Sequence, residues 1–228
     1  MTPHPIEMPL QYESKSAWRA WAKAQRSAIC SSTVQQALLQ QALVLQVAQW
    51  LQQQYTRPAR IGVYFPLPLE PSLLALIAQF PQHQWYFPRM GNTALGENLT
   101  DLVFHQLPAT LALQPVSVWQ PLFTTQPFGL KEPPVGWQTA QQSHTPLDSL
   151  LIPCLALDAQ TGVRLGYGGG YYDRFLAGCT PLHRLVTVGI CWHACLVSTP
   201  ATLPQYWNDI ALQYCATEHG IMPKKFKK

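Results

Sequence analysis

Apolar and polar positions alternate with two different periods along the chain, and the period changes divide it into elements. From Ser14 the pattern predicts a helix carrying Lys15, Trp18, Arg19, Ala22 and Arg26, with Ser14 as its cap. Lys15 and Arg19 lie four apart and so share a face. Ser32 and Thr33 open a second helix, whose apolar stripe reads Leu38, Leu39, Ala42, Leu45, Ala48 and Leu51 against outward glutamines. Short apolar runs bounded by prolines predict strands at 60–65, 84–87 and 101–105, and Pro71 suits the first turn of a helix reaching about Phe80. The run from Ser149 to Leu157 has no polar interruption, as expected of a strand buried on both faces of a parallel sheet. A glycine cluster follows, then a helix from about Tyr171 to Ala177, then strands at 185–191 and 211–216. Strands alternating with helices make this an α/β protein around a mainly parallel sheet. The proline-, glutamine- and threonine-rich stretch 107–147 shows little periodicity, and its length predicts a surface crossing near a functional cleft.

Composition narrows the picture. The 228 residues include 47% hydrophobic and 11% aromatic side chains, enough for a substantial core and against wholesale disorder. Charged residues make up only 11%, against about 25% in an average soluble domain. The net charge of +4 is carried by Lys224, Lys225, Lys227 and Lys228, which leaves the body neutral. A neutral body argues against nucleic acid as a partner. The longest apolar candidate, Ala42 to Leu51, is broken by Gln46 and Gln49 and falls short of the ~18 residues of a membrane span. Six cysteines lack a disulfide-like framework, and Cys191 and Cys195 flank His193 without the second ligand pair that zinc needs. These features predict free thiols in a reducing cytoplasmic compartment. The expected organisation is a flexible leader over 1–12, one domain over 13–220 and a basic tail over 221–228.

The chemistry concentrates in LDAQTGVRLGYGGGYYDRF, residues 157–175. A strand runs into glycines and then into a helix, where unpaired amides and the positive end of the dipole favour an anion. Tyr171 occupies the last glycine position of GxGxxG, and no Gly-Lys-Ser/Thr is present, so neither standard nucleotide fingerprint applies. Arg164 can pair with phosphate oxygens, and Asp173 offers a hard oxygen ligand. Two tyrosines can line a ring, and Asp209 supplies a second carboxylate.

LALDAQTGVRLGYGGGYYDRFL resembles the signature of the 5-formyltetrahydrofolate cyclo-ligase (methenyltetrahydrofolate synthetase) family, and the resemblance extends over nearly the whole chain. Weaker matches fall in order: Lys15 and Arg19 as K-x-x-x-R, Tyr64 and Glu70 in YFPLPLE, FPR at Phe87–Arg89, GLKEP at Gly129–Pro133, Asp209, and Thr217-Glu218. The resemblance implies a single-domain, three-layer α/β/α sandwich and the ATP-driven closure of 5-formyltetrahydrofolate to 5,10-methenyltetrahydrofolate. It implies ATP as co-substrate and Mg²⁺ as cofactor, with small-molecule partners; with no apolar run of membrane length, no membrane partner is expected, and a monomer is the expected state. Carried over residue by residue, it gives ATP to Lys15, Arg19 and the loop Arg164, Leu165, Gly166, Tyr167, Gly168, Gly169, Gly170, Tyr171 and Tyr172. It gives magnesium to Asp173 and Asp209. It gives the folate to Phe65, Glu70, Tyr167, Gly168, Gly169, Gly170 and Tyr171, with Arg164, Tyr171 and Asp173 as catalytic residues. Glu70 suits a pterin because a carboxylate can accept two neighbouring N–H donors.

Two departures stand out. Some relatives are basic where this chain has Tyr167 and Gly169, and some are acidic where it has Gln213. Phosphate charge then falls to Lys15, Arg19, Arg164 and Arg174. Taken singly, each residue also fits a dull role, such as a wet helix face for Lys15 and Arg19 or a first-turn charge for Glu70. Their order around one glycine loop selects the nucleotide reading. A same-fold module that binds folate or nucleotide without ligase activity is the alternative.

Overall fold

The computed structural model describes residues 7–10, 13–91, 98, 101–140, 146–179, 184–198 and 201–224. Most of the expected leader and all of the tail beyond Lys224 lie outside the described residues. Helix α1 spans Lys15–Ile29 with Ser14 as its cap, and α2 spans Thr33–Gln54 with Ser32 as its cap. Strand β1 (Arg60–Gly62), helix α3 (Ala75–Gln79) and strands β2 (Gln84–Met90) and β3 (Leu102–Gln106) follow. Then come short helices α4 (Ala109–Ala112) and α5 (Val116–Trp119) and a hairpin of β4 (Thr124–Thr125) and β5 (Lys131–Glu132). The second half holds β6 (Ser149–Pro153), β7 (Ala156–Asp158), β8 (Arg164–Leu165) and α6 (Tyr171–Gly178). It closes with β9 (Val186–Ile190), β10 (Leu196–Val197), β11 (Tyr214–Thr217) and β12 (Gly220–Pro223).

Among the described residues the main sheet has seven strands in the order β12-β11-β9-β6-β1-β2-β3. The five central strands are parallel, and the two edge strands, β12 and β3, are antiparallel. Side chains alternate across it as the pleat requires. Leu150 and Ile152 of β6 join Trp18, Trp21 and Ala22 of α1 and Leu176 of α6 on one face. Leu151 joins Leu43, Val47 and Leu51 of α2 and Leu76 and Ile77 of α3 on the other. Helices on both faces make the three layers expected.

Several boundaries differ from the sequence reading; β1 stops at Gly62 rather than 65, and β2 runs on to Met90. The stretch 149–157 is two strands, because Pro153 ends β6. The chain then steps sideways, with Leu155 N–H donating to Leu165 O at 2.8 Å. The helix expected from Pro71 begins only at Ala75, since the Gln40 side-chain amide holds both backbone groups of Ser72 and the Tyr64 hydroxyl donates to Pro71 O. Residues 107–147 are not structureless, and Trp119 and Phe123 from this segment are buried in the α2-side core. Residues 221–223 continue as β12 beyond the expected domain limit at 220. Pro88 is tolerated inside β2 because β1 ends opposite Tyr86, leaving no ladder partner on that side to need its missing N–H.

Helix α2 also turns a different stripe inward. Leu43, Val44, Val47, Ala48 and Leu51 are buried, whereas Leu38 and Leu45 are 62% and 54% exposed. Without charges on either side, the helix has no strongly preferred face of its own, and the sheet decides. Leu51→Ala should therefore cost about 2–5 kcal/mol, while Leu38→Gln should stay within about 0.5 kcal/mol. Urea denaturation measures both, and equal losses would contradict the observed face.

Candidate active site

The connection from β1 leads to β2 on one side, and that from β6 leads to β9 on the other, so the winding reverses between β1 and β6. A crevice at the carboxyl ends of such strands is the usual ligand position in an open α/β sheet. Arg26, Glu70 and Tyr167 converge there. Arg26 of α1 is 1% exposed, and its Nη2 donates to Cys154 O just past β6. Its Nη1 lies 3.6 Å from Glu70 Oε1 and donates to the Tyr167 hydroxyl at 3.2 Å. Glu70 Oε2 accepts from Leu67 N–H at 2.9 Å, and the Tyr167 hydroxyl is within its hydrogen-bonding reach. Leu69, whose φ of 68° is costly for a branched side chain, is held by the Trp192 indole donating to its carbonyl at 3.0 Å.

Burial pushes the Glu70 carboxyl above its ordinary value, against the pull of Arg26 and the Leu67 amide. Burial opposes the Arg26 charge, but Glu70, with smaller help from Tyr167 and two thiols, holds its pKa above the usual value. Tyr167 is pushed up to about 12 by burial and by the Glu70 charge, so it stays a neutral donor.

The glycine loop lies beside this crevice. Arg19 Nε donates to Gly166 O at 2.9 Å, and its guanidinium borders Gly168. Arg174 Nη1 donates to Gly169 O at 3.0 Å, with the guanidinium 4.9 Å from the Tyr171 ring. Gly170 caps α6 with φ 65° and makes no side-chain cap bond, so the first amides of the helix point outward unpaired by a cap. A side chain at Gly169 would meet the Tyr171 ring at 2.5 Å, which explains glycine there.

The two predicted metal ligands come together through one peptide. Asp173 Oδ1 accepts from Ile210 N–H at 3.0 Å, and Asp209 immediately precedes Ile210. Each carboxylate also holds a cation: Arg164 Nη2 is 2.9 Å from Asp173 Oδ2, and Lys15 Nζ is 2.6 Å from Asp209 Oδ2. Their side chains are 19% and 15% exposed, so both reach solvent. No cluster of three or more potential metal-ligating side chains occurs among the described residues. Two hard carboxylates beside an anion cradle nevertheless fit Mg²⁺, which usually takes one or two carboxylates with phosphate and water completing the shell.

The remaining predicted positions divide. Leu165 is buried and paired with Ala156, so only its backbone faces the loop. Tyr172 packs against the core, and burial together with Glu70 raises its pKa. Phe65 sits across β1 from the loop, packed on Phe123 with ring centroids 5.0 Å apart. Gln213 is spent on structure, exchanging bonds with Thr187 at 3.2 and 3.0 Å. Arg26 is the residue that sequence reasoning missed as a site member. Its spacing from Lys15, Arg19 and Ala22 (eleven, seven and four residues along the helix) already placed it on the same face. A cavity of about 660 Å³ opens at the opposite, amino end of the central strands around Arg57, Arg60 and Asp148, away from all of these groups.

An open α/β sheet with basic and acidic side chains gathered around a glycine loop at its winding reversal defines a small-molecule site of the α/β class. The chain belongs to the 5-formyltetrahydrofolate cyclo-ligase family, whose sequence profile matches residues 11–217. It is 32% identical over 93 residues to the 5-formyltetrahydrofolate cyclo-ligase of Saccharomyces cerevisiae, covering 40% of this chain and 39% of that one. It is 41% identical over 61 residues to that of Mycolicibacterium smegmatis, covering 27% and 30%. The chain thus spans well under half the length of these curated relatives. The 5,10-methenyltetrahydrofolate synthetases of Aquifex aeolicus and Mycoplasma pneumoniae share the fold at TM-scores of 0.68 and 0.64, each at 19% identity. These matches cover 94% and 90% of this chain and 94% and 99% of those structures.

The buried pair makes a pH-dependent prediction. Arg26→Met leaves the Glu70 charge uncompensated and should cost about 3–5 kcal/mol at pH 7. Because the folded pKa of Glu70 is raised, its contribution to stability is full below 4.5 and is lost as pH rises through the folded value. The Arg26→Met deficit should therefore shrink as pH falls from 7 towards 4.5, as followed by thermal melts. A deficit independent of pH would show that Glu70 is not the group left stranded.

Proposed function

We propose that this chain catalyses the ATP- and magnesium-dependent conversion of 5-formyltetrahydrofolate to 5,10-methenyltetrahydrofolate, releasing ADP and phosphate. One observation carries the reading: a single loop serves both halves of the site. Its glycines border Arg19 and the start of α6, while its Tyr167 hydroxyl reaches the Arg26–Glu70 crevice. A phosphate cradle and a carboxylate suited to a pterin are therefore contiguous, as a transfer between two bound substrates requires.

The chemistry explains the demands on the residues. The formamide carbonyl is a poor electrophile and its oxygen a poor leaving group. When the formyl oxygen attacks the terminal phosphorus of ATP, ADP leaves and that oxygen becomes a phosphate ester. N10 then attacks the activated carbon, the C–O bond breaks, and phosphate departs as N10 gives up its proton. Lys15, Arg19, Arg164 and Arg174 would balance the phosphate charge, with the Gly168–Tyr171 amides as further donors. Asp173 and Asp209 would hold Mg²⁺, which when bound offsets charge on the phosphate oxygens. Glu70 would accept the pterin N–H pair and fix the ring, and Tyr171 with Arg174 would cover Gly169. No protein nucleophile is required. The buried thiols are unsuited to that role, since burial pushes Cys154 and Cys215 up to about 12 and Cys195 up to about 11. All six cysteines are free, which supports a reducing cytosol. No helix among the described residues is long and apolar enough to cross a membrane.

With 5-formyltetrahydrofolate, ATP and Mg²⁺, the protein should show the absorbance of the methenyl product together with stoichiometric ADP. Asp173→Asn should lower kcat at least about a hundredfold while the melting curve remains cooperative. Ligand-induced stabilisation without ADP release would instead favour a binding module. A second test concerns Glu70, which must be ionised to accept two N–H groups. Its raised pKa places the acid limb of kcat/KM for the folate above 4.5. Glu70→Gln should remove that limb and lower kcat/KM by about tenfold to a hundredfold. An acid limb unchanged in Glu70→Gln would assign it to another group.

A further inference from the structure

Beyond Phe65, on the side of β1 away from the glycine loop, two cations stand at an aromatic wall. The parallel register Ile61↔Trp85 and Gly62↔Tyr86 ends with β1, and Arg89 stands three residues further along β2. Phe65 and Arg89 share the α2-side face of the sheet by their parity with Ile61 and Trp85. The Lys131 ammonium lies 5.0 Å from the Phe65 ring centroid and makes no ion pair among the described residues. Arg89, with 12% of its side chain exposed, lies 3.6 Å from Glu132 Oε2 through Nε, and its buried Nη1 has no hydrogen-bond partner. Glu132 is already engaged by Met90 N–H at 3.0 Å, and the Lys131 ammonium has no carboxylate among the described residues. A buried guanidinium donor without an acceptor is costly and marks a place where an acceptor is expected.

We propose that Lys131, with Arg89 behind it, binds the glutamate carboxylates of the reduced folate and so selects substrates bearing that tail. The inference rests on the proposed function. A folate is linear, with a pterin at one end, an aminobenzoyl ring in the middle and a glutamate at the other. With the pterin at Glu70, between β1 and β6, the chain of the substrate must leave the crevice towards solvent. Phe65, five residues earlier and on the β2 side, offers a face for the aminobenzoyl ring. Lys131 stands over that face, and Arg89 reaches Glu132, the residue next to Lys131, so the negative end would arrive beside both. A carboxylate can take a charge-assisted bond from each of them. The uneven charge of this corner, two cations to one carboxylate, is the complement of a dianionic tail.

The test compares 5-formyltetrahydrofolate with 5-formyltetrahydropteroate, which lacks the glutamate, on the full chain. Lys131→Met should raise KM for the intact folate about tenfold to a hundredfold, with the rise in KM exceeding any change in kcat and KM for ATP unmoved. KM for the truncated substrate should be weak in the wild type and unchanged by the substitution. Lys131→Arg should restore most of the loss, and Arg89→Lys, which keeps the charge where a larger change risks the fold, should shift only the intact substrate. A Lys131→Met variant that weakens both substrates equally, or neither, overturns the proposal while leaving the function intact. If the wild type turns over neither substrate, the functional reading fails. Calorimetric binding of the two folates to wild type and Lys131→Met then gives the same comparison, and binding of neither folate overturns the tail contact as well.

Discussion

The contact between Arg26 and Glu70 joins the first helix to the mouth of the sheet at the point where its winding reverses. Both side chains are almost wholly buried, and a charge in that position is tolerable only with its counter-charge and further hydrogen bonds. Arg26 supplies these by reaching the carbonyl that ends β6, the hydroxyl of Tyr167 and the carboxylate that follows β1. Three separate segments are thus fixed against one guanidinium. The strained Leu69 and its anchor on Trp192 belong to the same device, since they set the direction in which Glu70 enters the crevice.

This anchor places the rest of the site. With α1 held down at Arg26, Arg19 falls one helical stretch earlier onto the carbonyl of Gly166, and Lys15 one turn earlier again onto Asp209. One stripe of a single helix therefore carries a residue for the acidic crevice, one for the glycine loop and one for the carboxylate pair. The existing ion pairs, Lys15 with Asp209 and Arg164 with Asp173, keep cations and carboxylates beside the cradle. Neutralisation in place reduces the reorganisation that a highly charged ligand would demand.

Tyr167 and Gly169, where the family resemblance led to an expectation of basic residues, each have a structural use. Tyr167 gives its hydroxyl to the crevice between Arg26 and Glu70, and Gly169 leaves room for the Tyr171 ring under Arg174. Positive charge is brought to the glycines from α1 and α6 by Arg19 and Arg174, beside Arg164 at the start of the loop. Gln213 ties β9 to the start of β11 through Thr187.

The periodicities, the serine caps, the prolines and the glycine cluster were local signals, and they set the α/β class, the two long helices and the loop with its flanking carboxylates. Their causes act within a few residues, so a linear reading can reach them. The inward face of α2 was not legible, because an uncharged helix rich in leucine and glutamine has several acceptable faces and only the sheet chooses. Nor was the break between β6 and β7, which depends on Leu155 finding Leu165 after the main sheet is left behind. Arg26 carried the right spacing on α1, but its partner Glu70 lies 44 positions away and its meaning appears only when the crossing strands bring them together. The sequence by itself determined which groups are available and which elements carry them. The tertiary structure decided which of them meet, because burial and pairing are properties of the packed sheet.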